Sequence, residues 1–251
     1  MFTPSEIQKM VFFDLETAST WATLDDLNLN NPRMADLWVH RCEYLRHRFP
    51  ENAGKSDEIL YEEKAALTPE FSRIICASFG RISFTEDELS KTSVPSLKIK
   101  SYSGVDELSI LSGIQKVFTG FANYKFTGHN IKRFDVPLMC KRILMAGQSL
   151  PKGLQIQNLK PWEMPFVDTS ELWSFGAWQE GLCSLDLLSA SLGIDSPKED
   201  IKGDQVGEVF WKEKNISRIT SYCERDVLTT AQIILKLSGI SLVEDYQLQN
   251  T

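Results

Sequence analysis

Residues 9–17 read KMVFFDLET, an apolar run that closes on two carboxylates. A short apolar run ending in polar residues predicts a buried β-strand. Alternate residues of a strand share a face, so Asp14 and Glu16 project together while Phe13 and Leu15 face the other way. Adjacent carboxylates repel each other and cost free energy to bury unless a cation or a proton lies between them. A hard divalent cation with oxygen ligands is the simplest resolution.

Further strands are expected over RIICASFGRI, SLKIKSY, YKFTGHN and FVDT. Asp106 is placed to cap a helix through ELSILSGIQKVFTGF, and Pro137 suits the first turn of a helix through LMCKRILMAG. Asp168 followed by Glu171 resembles a capping arrangement for ELWSF, and Ser184 caps LDLLSASL, which Gly193 stops. The longest helix starts near Asn215 and runs through ISRITSYCERDVLTTAQIILKL. Three early strands, then alternating helix and strand, then helices, predict a layered α/β domain with a mixed sheet. Residues of about 20–69 carry helical patches and a polar stretch. They read as a helical insertion over the site, within a single domain spanning 1–251 that ends in a tail of about 240–251. LPKGLQIQNLKPWEMP is a long loop punctuated by Pro151, Pro161 and Pro165.

Composition narrows the class. The chain has 251 residues, 42% hydrophobic and 24% charged, enough for a sizeable core. No segment approaches the roughly 18 unbroken apolar residues of a membrane span, and the N-terminus lacks a basic region followed by an apolar run. Cys42, Cys76, Cys140, Cys183 and Cys223 are scattered and form no CxxC, which points to reduced thiols and a cytoplasmic protein without a membrane partner. A net charge of −7 argues against coating long stretches of nucleic acid but allows a grip on a few nucleotides. Two basic runs, Arg41–Arg46–Arg48 and Lys132–Arg133–Lys141–Arg142, read equally as solvated faces.

Two more elements carry acids. GHNIKRFDVP, residues 128–137, lies where a strand gives way to a helix. Asp135 reads as a helix cap or as a third site carboxylate, His129 as a satisfied polar residue of the turn, and Asn130 as a loop residue or a nucleotide contact. In YCERD, residues 222–226, Tyr222 and Asp226 are four apart and share a helix face.

Taken in order, FDLET, GHNIKRFD and YCERD resemble the three motifs of the DEDD superfamily of 3′–5′ exonucleases, over about residues 10–236 apart from the insertion. Tyr222 implies the DEDDy branch, and the chain looks most like free-standing bacterial exonucleases related to the proofreading domain of family B DNA polymerases. A haloacid-dehalogenase phosphatase is the rival for the first motif, but that family has Asp where this chain has Glu16. The resemblance implies a ribonuclease-H-like α/β fold, a mixed sheet flanked by helices. It implies two Mg²⁺ ions, with Mn²⁺ as a substitute, held by Asp14, Glu16, Asp135 and Asp226. Tyr222 would position the attacking water. The substrate would be the 3′ end of a single-stranded nucleic acid, DNA ahead of RNA, contacted by Leu15, Thr17, His129, Asn130 and Phe134. Leu15, Phe134 and the aromatic residues from Trp162 to Trp178 read as core packing for the most part, or as surfaces that stack on bases. The alternative in a different class is a nucleic-acid-binding module of the same fold without catalysis.

Overall fold

The computed structural model describes residues 1–86, 93–160, 163–177, 183–194, 201–244 and 246–249. The elements in chain order are α1 (Pro4–Ile7), β1 (Met10–Ser19), α2 (Leu24–Asn30), α3 (Pro32–Arg48), α4 (Asp57–Lys64), β2 (Ser72–Glu86), β3 (Ser93–Ser103), α5 (Glu107–Gly120), β4 (Lys125–Gly128), α6 (Asp135–Met145), β5 (Phe166–Asp168), α7 (Thr169–Ser174), α8 (Leu185–Ser191), α9 (Val206–Glu208), α10 (Ile216–Leu237) and β6 (Tyr246–Gln249). The expected caps form: Asp106 accepts from Leu108 N–H, Asp168 from Ser170 N–H, Ser184 from Leu187 N–H and Asn215 from Arg218 N–H.

The six strands lie in the order β5-β4-β1-β2-β3-β6. β1, β2 and β3 form an antiparallel meander, whereas β4 pairs parallel to β1 and β5 parallel to β4. This is a ribonuclease-H-like mixed sheet flanked by helices. β1 is central, and its alternating side chains feed two cores. Val11, Phe13 and Leu15 pack with residues of α5 and α6 such as Leu111, Phe118 and Met139. Phe12, on the other face, packs with Val227, Ala231 and Ile234 of α10. Gly80 of β2 permits the close seating of α10, since a Cβ there would meet Val227 Cγ1 at 2.7 Å.

The register of β1 against β2 shifts between Glu16 and Thr17, so that Ile75 is an extra residue in β2. Such a bulge re-aims side chains and is common beside functional sites. Beyond it, Thr17 Oγ1 donates to Ala66 O at 2.8 Å, docking the end of the inserted segment on β1. That segment is helical, as expected, and has a core of its own in which the buried Trp38 meets Tyr61 and Phe71 edge-on at 5.2 and 4.8 Å.

Some elements differ from the sequence expectation. The stretch expected to be a tail supplies β6, parallel to β3 with Tyr246 opposite Leu97. Val209–Glu213 forms a π-helical turn. Glu171 pairs with Lys132 at 2.6 Å, and Asp168 alone carries the capping bond of α7. Trp162 and Trp178, expected to pack or stack, lie outside the described residues. Among the described residues, no helix is long and apolar enough to cross a membrane.

Candidate active site

Asp14 and Glu16 sit midway along β1, beyond the stretch Met10–Phe12 that pairs with β4, on the face covered by α10. One ligand atom from each of Asp14, Glu16 and Cys223 lies within 4.8 Å of the others. Asp14 Oδ2 is buried and, among the described residues, has no hydrogen-bond partner. Burial pushes the Asp14 carboxyl well above its ordinary range, and repulsion from Asp226 and Asp135 adds to it. Glu16 is pushed up in the same way, by burial first and then by Asp14 and Asp226. The Cys223 thiol is also pushed up, chiefly by burial, and donates to Asp14 O at 3.3 Å.

Asp135 opens α6 and is 4% exposed. Burial raises its carboxyl to about 7, with Asp168 and Asp226 adding repulsion, against hydrogen bonds from its own N–H and that of Leu15. The turn that delivers it is held from β5. Asp168 Oδ1 accepts from Asn130 N–H at 2.8 Å, while Oδ2 accepts from Lys132 N–H at 3.1 Å. Asp168 Oδ1 also accepts from Ser170 N–H at 3.0 Å and Ser170 Oγ at 2.7 Å. Asn130 takes the left-handed conformation at φ 57°, which Asn tolerates better than most residues. Gly128, just before it, has no space for a side chain: a Cβ would lie 2.2 Å from Ile131 Cγ2 and 2.9 Å from Phe13 O.

On α10, Tyr222 and Asp226 are half-buried and one turn apart. The Arg225 guanidinium lies 5.9 Å from the centre of the Tyr222 ring. The Tyr222 hydroxyl points towards Gly203, 3.8 Å from where a Cβ would stand. Asp226 is near enough to raise the carboxyls of Asp14, Glu16 and Asp135. All four acids singled out in the sequence therefore share one electrostatic environment, with Asp14 and Glu16 in its tightest part.

The remaining residues occupy varied positions. Leu15 is 5% exposed and belongs to the core beneath the site, with Phe134 packed against that core. Thr17 anchors the insertion. His129 has both ring nitrogens engaged, Nδ1 with Thr169 Oγ1 at 2.9 Å and Nε2 with Cys183 O at 2.8 Å. Burial lowers its pKa, favouring the neutral ring. Asn130 Oδ1 is buried and has no partner among the described residues. Sequence reasoning saw Asp168 only as a helix cap and missed its hold on the turn. The missing signal is spatial: Gly128 and Asp168 are register partners at the ends of adjacent parallel strands.

A ribonuclease-H-like sheet with a cluster of buried and half-buried acids against its central strand is the arrangement of a nuclease-like domain. Residues 67–245 match a family model described as predicted 3′–5′ exonuclease related to the exonuclease domain of PolB, and the chain belongs to that family. The matched span contains Asp135, Tyr222 and Asp226 and begins after Asp14 and Glu16. A similar solved structure is the family B DNA polymerase from the hyperthermophilic archaeon Pyrobaculum calidifontis, with a TM-score of 0.52 and 14% identity. The likeness covers 92% of this chain and 24% of the polymerase chain, and it concerns the fold. No curated protein matches.

Proposed function

We propose that this chain is a DEDDy-type exonuclease. It hydrolyses the terminal phosphodiester of a single-stranded nucleic acid, with DNA the first candidate ahead of RNA, from the 3′ end and releases nucleoside 5′-monophosphates. One observation carries the reading: half-buried Asp14 and buried Glu16 are held together, with Asp14 Oδ2 lacking a hydrogen-bond partner among the described residues and Asp226 and Asp135 adding repulsion. Such an arrangement calls for a counter-charge.

The donor set fits a divalent cation that prefers oxygen. Its acids are carboxylates, and the neighbouring thiol is held protonated by burial. That favours Mg²⁺, with Mn²⁺ as substitute, over a thiolate-seeking metal. Asp14, Glu16 and Asp226 would hold one ion, and Asp14 with Asp135 a second. When bound, two such ions acidify the attacking water and offset charge on the departing 3′ oxygen. Tyr222 hydrogen-bonds that water through its hydroxyl and sets its line of approach; a phenol is too weak a base at neutral pH to remove the proton. Glu16 contacts the terminal 3′ hydroxyl. The Asp168-held turn fixes where Asp135 stands, and Leu15 and Phe134 provide the apolar floor. A paired end must fray first, at a cost of a few kcal/mol, so single strands are preferred.

The test uses an oligonucleotide labelled at its 5′ end, incubated with EDTA, Mg²⁺ or Mn²⁺. A descending ladder with either metal and none in EDTA is expected, with single strands degraded ahead of blunt duplexes. Cutting of a circular single strand, or of a strand with a blocked 3′ end, would show an endonuclease instead.

A further inference from the structure

The cations that stand out in the sequence are largely committed to structural pairs. Arg46 pairs with Asp57, Arg142 with Glu107, Lys132 with Glu171 and Lys141 with Glu70. A different group, scattered over 36 positions of sequence, converges on the sheet. Arg81 of β2, Lys98 and Lys100 of β3, and Lys116 of α5 line one cavity of about 520 Å³ together with Val117, Phe121 and Tyr102. Among the described residues none of these four cations has a carboxylate partner, in a chain whose net charge is −7. Among the described residues, no acidic side chain lines the cavity.

Strand periodicity assembles this group. Lys98, Lys100 and Tyr102 alternate onto one face of β3, and Arg81 stands opposite Lys98 in the neighbouring strand. Lys98 and Lys100 are therefore about 7 Å apart along the strand. Aromatic rings are interleaved with the charges. Arg81 lies over Phe121 at 4.8 Å and Tyr124 at 5.0 Å, and Lys100 over Tyr102 at 5.3 Å. A row of cations without carboxylate partners among the described residues, beside half-buried aromatic rings, is the arrangement that follows a single-stranded backbone.

The cavity is separate from the acid cluster. It opens on the face of β1 that carries Val11, whereas Asp14 and Glu16 face α10. Along β1 the two places are three residues, about 10 Å, apart in addition to the thickness of the sheet. A dinucleotide held at the acids cannot reach it.

We propose that this cavity is a second, non-catalytic binding site for single-stranded nucleic acid. It holds a length of strand remote from the 3′ end being cut. The cations neutralise phosphates there, and the Tyr102 and Phe121 rings hold Lys100 and Arg81 in place.

The experiment measures binding of a 5′-fluorescein oligothymidylate by anisotropy, in EDTA and over a range of salt, with the full chain. Lys98→Glu/Lys100→Glu is compared with wild type, and Lys98→Gln/Lys100→Gln serves as a milder pair. Circular dichroism checks that both fold. About tenfold weaker binding by the charge-reversed pair is expected, with the slope of log K against log salt shallower by about 1.4 for two lost phosphate contacts. Hydrolysis of a dinucleotide should be unchanged, while KM for a long strand rises. Unaltered affinity and slope in a folded variant would overturn the proposal. So would a wild-type dimer that the charge reversal dissociates, which would assign the cavity to a second copy of the chain.

Discussion

Asp135→Asn isolates the electrostatic cost of the acid cluster. The Asp135 carboxyl is raised from an ordinary 3.8 to about 7, mainly by burial. At about 1.4 kcal/mol per tenfold, the metal-free protein loses about 4 kcal/mol of stability when this group ionises. The folded state holds the proton more tightly than the unfolded state. The penalty is therefore absent below pH 4, grows as pH rises, and is complete above about 7. Asparagine removes the penalty and retains an oxygen for the N–H groups of Leu15 and residue 135. Its new amide N–H groups cost about 1–3 kcal/mol if they find no acceptor. The net result in EDTA at pH 8 is a variant about 1–3 kcal/mol more stable than wild type, with the order reversed near pH 4. The two stability curves cross at about pH 5–6. Mg²⁺ at a hundred times its Kd should add about 2.7 kcal/mol to wild type and less to the variant. Urea denaturation at several pH values, with and without Mg²⁺, reads all of this. A variant less stable than wild type at every pH would refute the reasoning, because ionised Asp135 would then be stabilising the metal-free fold.

Asp14→Ala and Asp226→Ala should each abolish nucleotide release while leaving the metal-free melting temperature equal or higher, since each removes repulsion within the cluster; turnover at the wild-type rate by either would remove the assignment. Tyr222→Phe keeps the ring and its packing but loses the hydroxyl. Turnover should fall about a hundredfold or more, with Mg²⁺ binding by calorimetry unchanged. Asp168→Ala deletes the acceptor for Asn130 N–H, Lys132 N–H and Ser170. It should destabilise by about 3 kcal/mol or more and lower kcat by displacing Asp135, whereas retained stability and rate would show that the turn holds itself.

What was legible in the sequence was whatever depends on neighbours along the chain. The period-2 pattern placed Asp14 and Glu16 on one face of β1, and helical spacing put Tyr222 and Asp226 together on α10. Cap residues marked helix starts, because a side-chain oxygen three residues ahead of an N–H is a local matter. What depends on the pairing of strands was not legible. YQLQ has no apolar run to announce a strand, and becomes β6 only because β3 offers it an edge at Leu97–Lys100. The extra residue Ile75 shows in neither strand taken alone. Asp168 looked like a cap because its other partners, Asn130 and Lys132, lie 38 and 36 residues away. The same distinction governs charge. Of the basic residues adjacent in sequence that drew notice, Arg46, Lys132, Lys141 and Arg142 proved to be paired, while Arg81, Lys98, Lys100 and Lys116 gather only once β2 and β3 take up their register. A site at the carboxyl ends of parallel strands draws one residue from each. Here Glu16 comes from β1, Gly128 from β4 and Asp168 from β5, so the spacing of its parts in sequence is set by the crossovers between strands. The grouping of the acids was therefore open to reading before the fold, and the means of holding them in place was not.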